Sequence, residues 1–325
     1  MSEAVTGAVS RIITQVAKTK NRYRVGEQMP LGSIGRYRLG VRPPPKLMPA
    51  IITPFDESGG LDAQAHRHNV GVLSEQGISG FVIGGSNGEG PYLEPGERAA
   101  LVAATREVAP EAFVLVGIFA ESVRFALELA QEAALAGGDA VLITTPTTLV
   151  RHRPDLVERY YRALADASSI PVFLYSVPRV TAYDLAIESA ITLADHHNVA
   201  GIKDSSGDID RARALAAAPF VTFVGASAIV NEGIRSGVYG AITASSNYAA
   251  PLALVTVESA ISGTTTDGQE RLTTVSRAVE SHGVGAVKYA SQRAGLRPGT
   301  TRLPLEMPTE QVRALIDTAL DAAGL

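Results

Sequence analysis

The sequence predicts an α/β protein folded as a (β/α)8 TIM barrel with a C-terminal helical extension. From residue 47 onward, short apolar runs alternate with longer amphipathic stretches, which is the pattern of repeated strand and helix units around a parallel sheet. Eight such apolar runs occur, and this number favours a closed barrel over an open sheet. No run approaches the ~20 apolar residues that span a bilayer, so we expect no membrane partner.

Each predicted strand is a short apolar run bounded by glycine, proline or polar residues. The strands are expected at residues 48–53, 80–84, 113–118, 140–144, 172–175, 199–203, 221–224 and 240–243. Helical spacing of apolar residues predicts helices at 62–75, 97–108, 122–136, 154–167, 186–195, 209–217 and 228–236. The tail beyond residue 250 contains no strand-like run, and its periodicity predicts the eighth barrel helix followed by a small helical bundle.

The charge distribution separates a basic leader from an acidic remainder. Residues 1–46 hold nine Lys or Arg and two Glu, although the whole chain has a formal charge of −4. We therefore expect a basic N-terminal extension (1–46), a barrel (47–250), and an eighth helix with a C-terminal helical bundle (251–325). The extension lacks aromatic interleaving, which favours a flexible or subunit-docking segment over a nucleic-acid contact. A wrongly chosen upstream start codon would also explain it.

Composition excludes several classes of chemistry. The absence of cysteine rules out disulfides, thiolate nucleophiles and cysteine-ligated metals. His66 and His68 diverge on a predicted helix, and His196 and His197 lie in a loop at the opposite end of the barrel, so no metal site is predicted. No secretory signal is evident at the N-terminus. The expectation is a cytoplasmic protein that needs no metal or organic cofactor.

Lys203 stands out because lysine is scarce where arginine is common. From residue 47 to the end there are two lysines and eighteen arginines. Lys203 ends the apolar run 198–203, which predicts a buried strand that delivers one amine to the barrel mouth. A primary amine forms a Schiff base with a carbonyl, whereas a guanidinium does not. The alternatives are a lysine that snorkels from the strand end or one that pairs with Asp204.

Tyr175 ends the fifth predicted strand, 28 residues before Lys203. This separation is about one βα unit, so the two side chains are expected at equivalent heights on adjacent strands. A phenol beside an amine can transfer protons during carbon–carbon bond chemistry. The alternative is a tyrosine that fills the barrel interior.

The second strand runs into the glycine-rich segment Gly-Gly-Ser-Asn-Gly-Glu-Gly at residues 84–90. Its glycines let backbone amides approach a ligand, and Ser86 and Asn87 supply short polar side chains that suit a carboxylate. A tight turn is the alternative. A phosphate loop is disfavoured, because neither the GxxxxGK[ST] nor the GxGxxG spacing is present.

Ordered motifs along the barrel resemble the pyruvate-dependent class I aldolases, which include N-acetylneuraminate lyase and dihydrodipicolinate synthase. The motifs are PAIITPF at 49–55, GGSNGEG at 84–90, LYSVP at 174–178, GIKDSSGD at 201–208, and VKYASQRAGL at 287–296 followed by RLPL. Within the family, GSNGE, LYSVP and KDSSGD are most similar to 4-hydroxy-2-oxoglutarate aldolase. The resemblance implies a Schiff-base-forming carbon–carbon lyase that joins pyruvate or a related 2-oxo acid to an aldehyde, or cleaves the product. It also implies a homo-oligomer, a tetramer in many relatives.

The resemblance assigns roles residue by residue. Lys203 corresponds to the Schiff-base lysine and Tyr175 to the proton-transferring tyrosine. Ser86 and Asn87 occupy the positions that hold the pyruvate carboxylate and relay protons, and Lys288 corresponds to a structural lysine of the C-terminal helices. The expected substrate-binding residues are Gly85, Ser86, Asn87, Thr148, Ser205 and Ile242.

Two positions depart from the family pattern. Many relatives carry a tyrosine pair after the fourth strand, one of which reaches a neighbouring active site, but here the stretch is Thr-Pro-Thr-Thr-Leu at 145–149. Thr148 has a hydroxyl but is much shorter. The arginine that binds a second carboxylate in the synthases falls at Val180, with Arg179 displaced by one, and on a strand-like segment one residue reverses the face. Both departures argue against dihydrodipicolinate synthesis itself.

Several functions therefore stay open at the level of sequence. One is a dehydratase or hydratase-aldolase of the same family that acts on a sugar acid or an aromatic aldehyde. Others are a dihydrodipicolinate synthase-like protein and a barrel that binds 2-oxo acids without turnover. Arg151, His152 and Arg153, just beyond the fourth strand, offer either positive charge at the mouth or a solvated loop.

Overall fold

The computed structural model describes residues 42–325, so all but the last five residues of the predicted basic extension lie outside the described residues. The strands are β1 Leu47–Pro49, β2 Gly80–Ile83, β3 Phe113–Ile118, β4 Ala140–Thr144, β5 Val172–Ser176, β6 Val199–Asp204, β7 Val221–Val224 and β8 Gly240–Thr243. They pair in parallel in the order β1-β8-β7-β6-β5-β4-β3-β2, and an isolated parallel bridge between Ala50 and Val82 joins the two ends. The predicted TIM barrel is confirmed.

Helices follow the strands as a (β/α)8 barrel requires. Those around the barrel are α1 Ala63–Glu75, α2 Glu97–Val108, α3 Val123–Ala136, α4 Pro154–Ala167, α5 Pro178–Thr181, α6 Ile187–Ala194, α7 Ile209–Ala216, α8 Val230–Arg235 and α9 Ala250–Ser262. The C-terminal helices are α10 Gly268–Glu280, α11 Gly283–Arg293 and α12 Glu310–Ala322. Within residues 42–325, none of the helices is long and apolar enough to cross a membrane.

Three segments differ from the sequence prediction. The first strand, expected at 48–53, is confined to Leu47–Pro49. The single helix expected at 228–236 is a 3₁₀ turn at Ser227–Ile229 followed by α8. The stretch after β5, treated as strand-like, is instead the helical turn α5, which starts at Pro178. Proline is favoured at the first turn of a helix, because the amide that it lacks would have no partner there.

The strands carry apolar side chains on both faces, which explains why they read as continuous apolar runs rather than alternating ones. One layer lies between the sheet and the surrounding helices, and a second fills the barrel. Inside the barrel, the rings of Phe173 and Phe223 lie 6.3 Å apart, near Met48 and Leu115. This filling closes the barrel below the strand ends, so a ligand has room only above them.

His66 lies in α1 with its ring buried against α2. The hydroxyl of Thr105 donates to the carbonyl of Leu101 at 2.9 Å, so its oxygen accepts from Nε2 of His66, also at 2.9 Å. The other ring nitrogen, Nδ1, has no hydrogen-bond partner among residues 42–325. Burial, aided by the charge of Arg67, lowers the pKa of His66 to about 4.

This histidine should make the protein less stable in acid. The unfolded chain takes up a proton on this histidine near pH 6.5, whereas the folded chain does so only near pH 4. The stability that the neutral histidine contributes is therefore full above pH 6.5 and declines as the pH falls toward 4. Between pH 7.5 and 4.5, wild type should lose about 2 kcal/mol more unfolding free energy than His66→Gln does. Urea unfolding at both pH values measures the difference. His68→Gln, on the same helix, is the control, and equal losses in all three proteins would contradict the assignment.

Candidate active site

Lys203 and Tyr175 are directly paired neighbours on β6 and β5. Both side chains are almost fully buried, Lys203 being 3% exposed. The Lys203 Nζ donates to the phenol oxygen of Tyr175 at 3.3 Å and lies 4.6 Å from the centre of its ring. The spacing of 28 residues thus does place an amine beside a phenol at the carboxyl ends of two barrel strands.

Asp204 does not pair with Lys203. Successive side chains of a strand point to opposite faces, and Asp204 faces the helix layer, where its carboxylate accepts from Nε of Arg211 at 2.6 Å. Its other oxygen accepts from the amide of Ser206 at 3.1 Å. The ion-pair alternative for Lys203 is therefore wrong, and the amine lies on the interior face of the strand.

The glycine-rich loop after β2 is both a tight turn and part of the site. The Ser86 hydroxyl lies 3.1 Å from the phenol oxygen of Tyr175, which continues the polar chain from Lys203. The Gly90 amide donates to the Gly85 carbonyl at 3.0 Å, which closes the turn. A Cβ on Gly90 would lie 2.1 Å from the Gly84 carbonyl oxygen, so only glycine permits this close approach.

Glu89, in the same loop, anchors it to the C-terminal helices. Its carboxylate lies 2.5 Å from Nζ of Lys288, and both side chains are fully buried. The other carboxylate oxygen accepts from the Arg302 amide at 2.9 Å, while Nζ of Lys288 also donates to the Thr300 carbonyl. Burial lowers the pKa of Lys288, and the charge of Glu89 opposes that shift. Lys288, to which the resemblance assigns a structural role, thus pairs with the loop that carries Ser86.

A cavity of about 600 Å³ opens above the strand ends. Five of the predicted site residues line it: Ser86, Asn87, Tyr175, Lys203 and Ser205. A cavity of this size accommodates a small organic acid together with a second small molecule.

Three predicted residues lie outside the lining of this cavity. Ile242 is fully buried among the side chains that fill the barrel, below the strand ends. Gly85 faces Val82 and Ala50, which a Cβ at this position would contact at 3.5 and 3.9 Å. Thr148 is exposed on the loop after β4.

The loop after β4 is organised by a carboxylate that the sequence did not single out. Glu121 accepts from the amides of Thr147 and Thr148, at 3.1 and 2.9 Å. Thr147 lines a second cavity of about 450 Å³, and Val180 lines both cavities. Thr147 therefore belongs to a pocket adjacent to the one that contains Lys203.

Arg179 lines the Lys203 cavity, contrary to the reasoning from the face of a strand. That reasoning is wrong because residues 178–181 form the helical turn α5, in which consecutive residues do not alternate between two faces. Arg179 and Val180 both line the cavity, and Arg277 of α10 adds a second guanidinium. The cavity therefore holds positive charge that can attract an acidic substrate.

Gly225 also belongs to the site, although sequence reasoning missed it. A Cβ at this position would lie 1.9 Å from the Ser205 hydroxyl oxygen and 3.0 Å from Cε of Lys203. Any larger residue would displace the amine. The available signal was its place directly after the seventh apolar run, where strand ends meet at the barrel mouth.

Glu280, at the end of α10, is the second residue that the sequence did not reveal. It lines the Lys203 cavity and accepts hydrogen bonds from Ser227 and Tyr248. It lies seven residues before the motif at 287–296 but outside it, and no pattern of residues marked it as part of the site. Beyond the fourth strand, by contrast, Arg153 pairs at 2.7 Å with Asp155 on an exposed surface, as in the solvated-loop alternative.

Histidines contribute nothing to the cavity. The rings of His196 and His197 stack 4.5 Å apart, and His196 bonds to Asp166 at 2.9 Å. Within residues 42–325, no group of three or more His, Asp or Glu side chains is arranged to hold a metal ion.

The site places a buried amine beside a phenol at the floor of a cavity in a (β/α)8 barrel. This arrangement is typical of a lyase that works through a lysine Schiff base. The protein is of this class, the class I aldolases, which act on small molecules. The chain belongs to the dihydrodipicolinate synthetase family, whose sequence profile matches residues 43–323.

The chain aligns with known proteins over almost the whole length of each of them. A 4-hydroxy-tetrahydrodipicolinate synthase of Bartonella quintana is 33% identical over 286 residues, which cover 85% of this chain and 97% of that protein. A putative dihydrodipicolinate synthase from Thermus thermophilus is 33% identical, with a TM-score of 0.77 over 86% of this chain and 99% of its own. A chloride-inhibited dihydrodipicolinate synthase from Acinetobacter baumannii, solved with pyruvate, is 29% identical, with a TM-score of 0.79 over 86% and 98%.

Proposed function

We propose that Lys203 forms an iminium with pyruvate or a related 2-oxo acid and that the enzyme makes or breaks the bond between this unit and an aldehyde. The observation that carries the proposal is the buried Lys203 Nζ, 3.3 Å from the phenol oxygen of Tyr175 and open to the cavity. The iminium withdraws electrons from the adjacent carbon, so the scheme needs no metal or organic cofactor.

In the cleavage direction, the substrate is a 4-hydroxy-2-oxo acid. Lys203 adds to its ketone and loses water, which gives the iminium. Tyr175 takes the proton of the 4-hydroxyl as it passes its own phenol proton to Ser86, the bond between carbons 3 and 4 breaks, and the electron pair of that bond forms the enamine as the aldehyde leaves. Protonation of carbon 3 and hydrolysis then release pyruvate and restore Lys203. Ser86, 3.1 Å from the phenol oxygen, relays protons to and from Tyr175.

The loop after β2 is assigned the carboxylate of the 2-oxo acid. Ser86 and Asn87 line the cavity on the side of Tyr175. Short polar side chains and amides of a tight turn fix such a group by hydrogen bonds, which aligns the ketone with the amine. Gly85 belongs to the turn but lies outside the lining of the cavity, so it is assigned no contact with the substrate.

The first candidate substrate is 4-hydroxy-2-oxoglutarate. The similarity of GSNGE, LYSVP and KDSSGD to its aldolase suggests it, and Arg179 and Arg277 supply positive charge for a second carboxylate. The second candidate substrate is a sugar acid, which corresponds to a dehydratase or hydratase-aldolase activity. The hydroxyl-rich pocket beside Val180, lined by Thr144, Thr145 and Thr147, favours this second reading.

Trapping tests the proposed chemistry. Incubation with pyruvate and borohydride should add the mass of a reduced pyruvate adduct to Lys203, located by peptide mass spectrometry. Lys288 should stay unlabelled, because its amine is buried in an ion pair away from the cavity. Lys203→Ala should take up no label. Equal labelling of Lys203→Ala, or no labelling of wild type, would refute the proposal.

A further inference from the structure

Glu280 introduces a negative charge into a cavity that otherwise carries positive charge. It lies at the end of α10 and lines the same cavity as Lys203. Among the described lining residues it is the sole carboxylate, facing a space shared with Arg179 and Arg277. The catalytic scheme gives this carboxylate no task.

One oxygen of the carboxylate is held in place. Oε1 accepts from the Ser227 hydroxyl at 2.8 Å and from the Tyr248 phenol at 3.1 Å. Ser227 and Tyr248 are both about 2% exposed, and the Ser227 oxygen lies 2.9 Å from the hydroxyl of Ser245. These buried contacts orient the carboxylate in advance, so its position does not depend on a ligand.

The second oxygen, Oε2, has no hydrogen-bond partner in the part of the chain that the structure describes. Burial raises the pKa of Glu280, while the bonds from Ser227 and Tyr248 and the charges of Arg179 and Lys203 oppose the rise. A partly buried carboxylate with one oxygen not bonded to the protein gains from any donor that reaches it, because hydrogen bonds to charged groups are stronger than neutral ones.

The surrounding charges restrict which donor suits this oxygen. A second carboxylate placed against Glu280 would be repelled, and a cation would meet the two guanidinium groups that line the same cavity. An alkyl group would leave Oε2 desolvated and without a partner. A neutral hydroxyl avoids all three costs.

We infer that Glu280 selects aldehydes that carry a hydroxyl group, which donates to its Oε2 while the aldehyde carbon faces the enamine on Lys203. This rests on the proposed function, since the aldehyde subsite exists only if pyruvate occupies Lys203. Glu280 is a specificity-determining residue in this scheme and takes no proton from the reacting atoms. The inference therefore favours the second candidate, a 2-oxo acid with a hydroxyl beyond carbon 4, as in sugar acids. It disfavours 4-hydroxy-2-oxoglutarate, whose aldehyde half carries a carboxylate and no further hydroxyl.

A pair of aldehydes of equal size tests the inference. Glycolaldehyde and propanal differ by a hydroxyl in place of a methyl group, and kcat/KM for each is measured at saturating pyruvate. The ratio of kcat/KM for glycolaldehyde to kcat/KM for propanal should fall about 10- to 100-fold in Glu280→Leu relative to wild type. Comparing ratios between proteins cancels the different hydration of the two aldehydes in water.

Controls separate this role from a structural one. Glu270→Leu, exposed on the same helix, should keep the wild-type ratio. Glu280→Gln, which can still accept from Ser227 and Tyr248, should lower the ratio by a smaller factor. Each variant is first trapped with pyruvate and borohydride. If wild type is not labelled, the proposed function and this inference both fail. If wild type and Glu280→Leu are labelled but the aldehyde ratio is unchanged, the inference alone is overturned.

Discussion

A Tyr175→Phe enzyme should still be labelled by pyruvate and borohydride but should release pyruvate from a 4-hydroxy-2-oxo acid about 10²- to 10⁴-fold more slowly. The phenol oxygen contacts both the Lys203 amine, at 3.3 Å, and the Ser86 hydroxyl, at 3.1 Å. Phenylalanine keeps the ring that packs inside the barrel and removes the group that transfers the proton. The loss should therefore fall on steps after the amine has attacked.

The exchange of pyruvate methyl protons for deuterium isolates the step at issue. This exchange needs the iminium to lose a proton and become the enamine, and it involves no aldehyde. It should slow in Tyr175→Phe along with turnover. Tyr161→Phe is the matched control, because Tyr161 is also buried but its hydroxyl donates to the Ile143 carbonyl at 2.9 Å, outside the cavity. The control should keep turnover within about threefold of wild type, at a cost of about 1 kcal/mol in stability.

Unchanged exchange and turnover in Tyr175→Phe would contradict the assignment of Tyr175 as the proton-transfer group. It would leave the amine as the sole participant from the pair and would favour the barrel-filling alternative for the tyrosine. A loss of labelling together with turnover would instead show that the phenol is needed to form the iminium.

Replacing Lys288 by methionine should lower the free energy of unfolding by about 3–5 kcal/mol. The side chains of Lys288 and Glu89 are both fully buried, with Nζ and a carboxylate oxygen 2.5 Å apart. Removing one partner leaves the Glu89 charge buried, with the amide of Arg302 as its remaining donor. Because Glu89 belongs to the loop that carries Ser86 and Asn87, KM for pyruvate should rise as well.

Guanidinium unfolding of a double-mutant cycle checks this prediction. Lys288→Met combined with Glu89→Gln should recover most of the lost stability, because no charge then stays unpaired. Lys46→Met is the matched lysine control: Lys46 is exposed, and its amine lies over the ring of Tyr239, 3.5 Å from the centre, in the chain just before β1. It should cost about 1 kcal/mol. If Lys288→Met lowers the free energy of unfolding no more than Lys46→Met does, the buried pair does not hold the loop.

The site residues near the strand ends were predictable, because in a barrel the spacing of residues along the sequence determines their positions at the mouth. Parallel strands begin and end at common levels, so two residues one βα unit apart become neighbours at the mouth. Tyr175 and Lys203 are paired in the sheet, as their separation predicts. Ser86, Asn87 and Ser205 likewise follow strands, and all three line the cavity.

Residues away from the strand ends were not predictable by this reasoning. Ile242 sits within a strand, and its height on the strand places it in the barrel filling instead of the cavity. Arg179 was misjudged, because a proline-initiated helical turn was taken for a strand. Thr148 is exposed, and its amide donates to Glu121, 27 residues earlier in the chain, a contact that no local pattern indicates.

The sequence alone determined the barrel, the reactive amine and its phenol partner, since these depend on apolar periodicity and on the regular spacing of strands. Only the tertiary structure decided what surrounds them. Glu280 reaches the cavity from a C-terminal helix, and Glu89 meets Lys288 across 199 residues of chain. Such contacts depend on how helices pack against the barrel mouth. That packing is set by the shape and charge of many side chains together, which no local pattern of residues records.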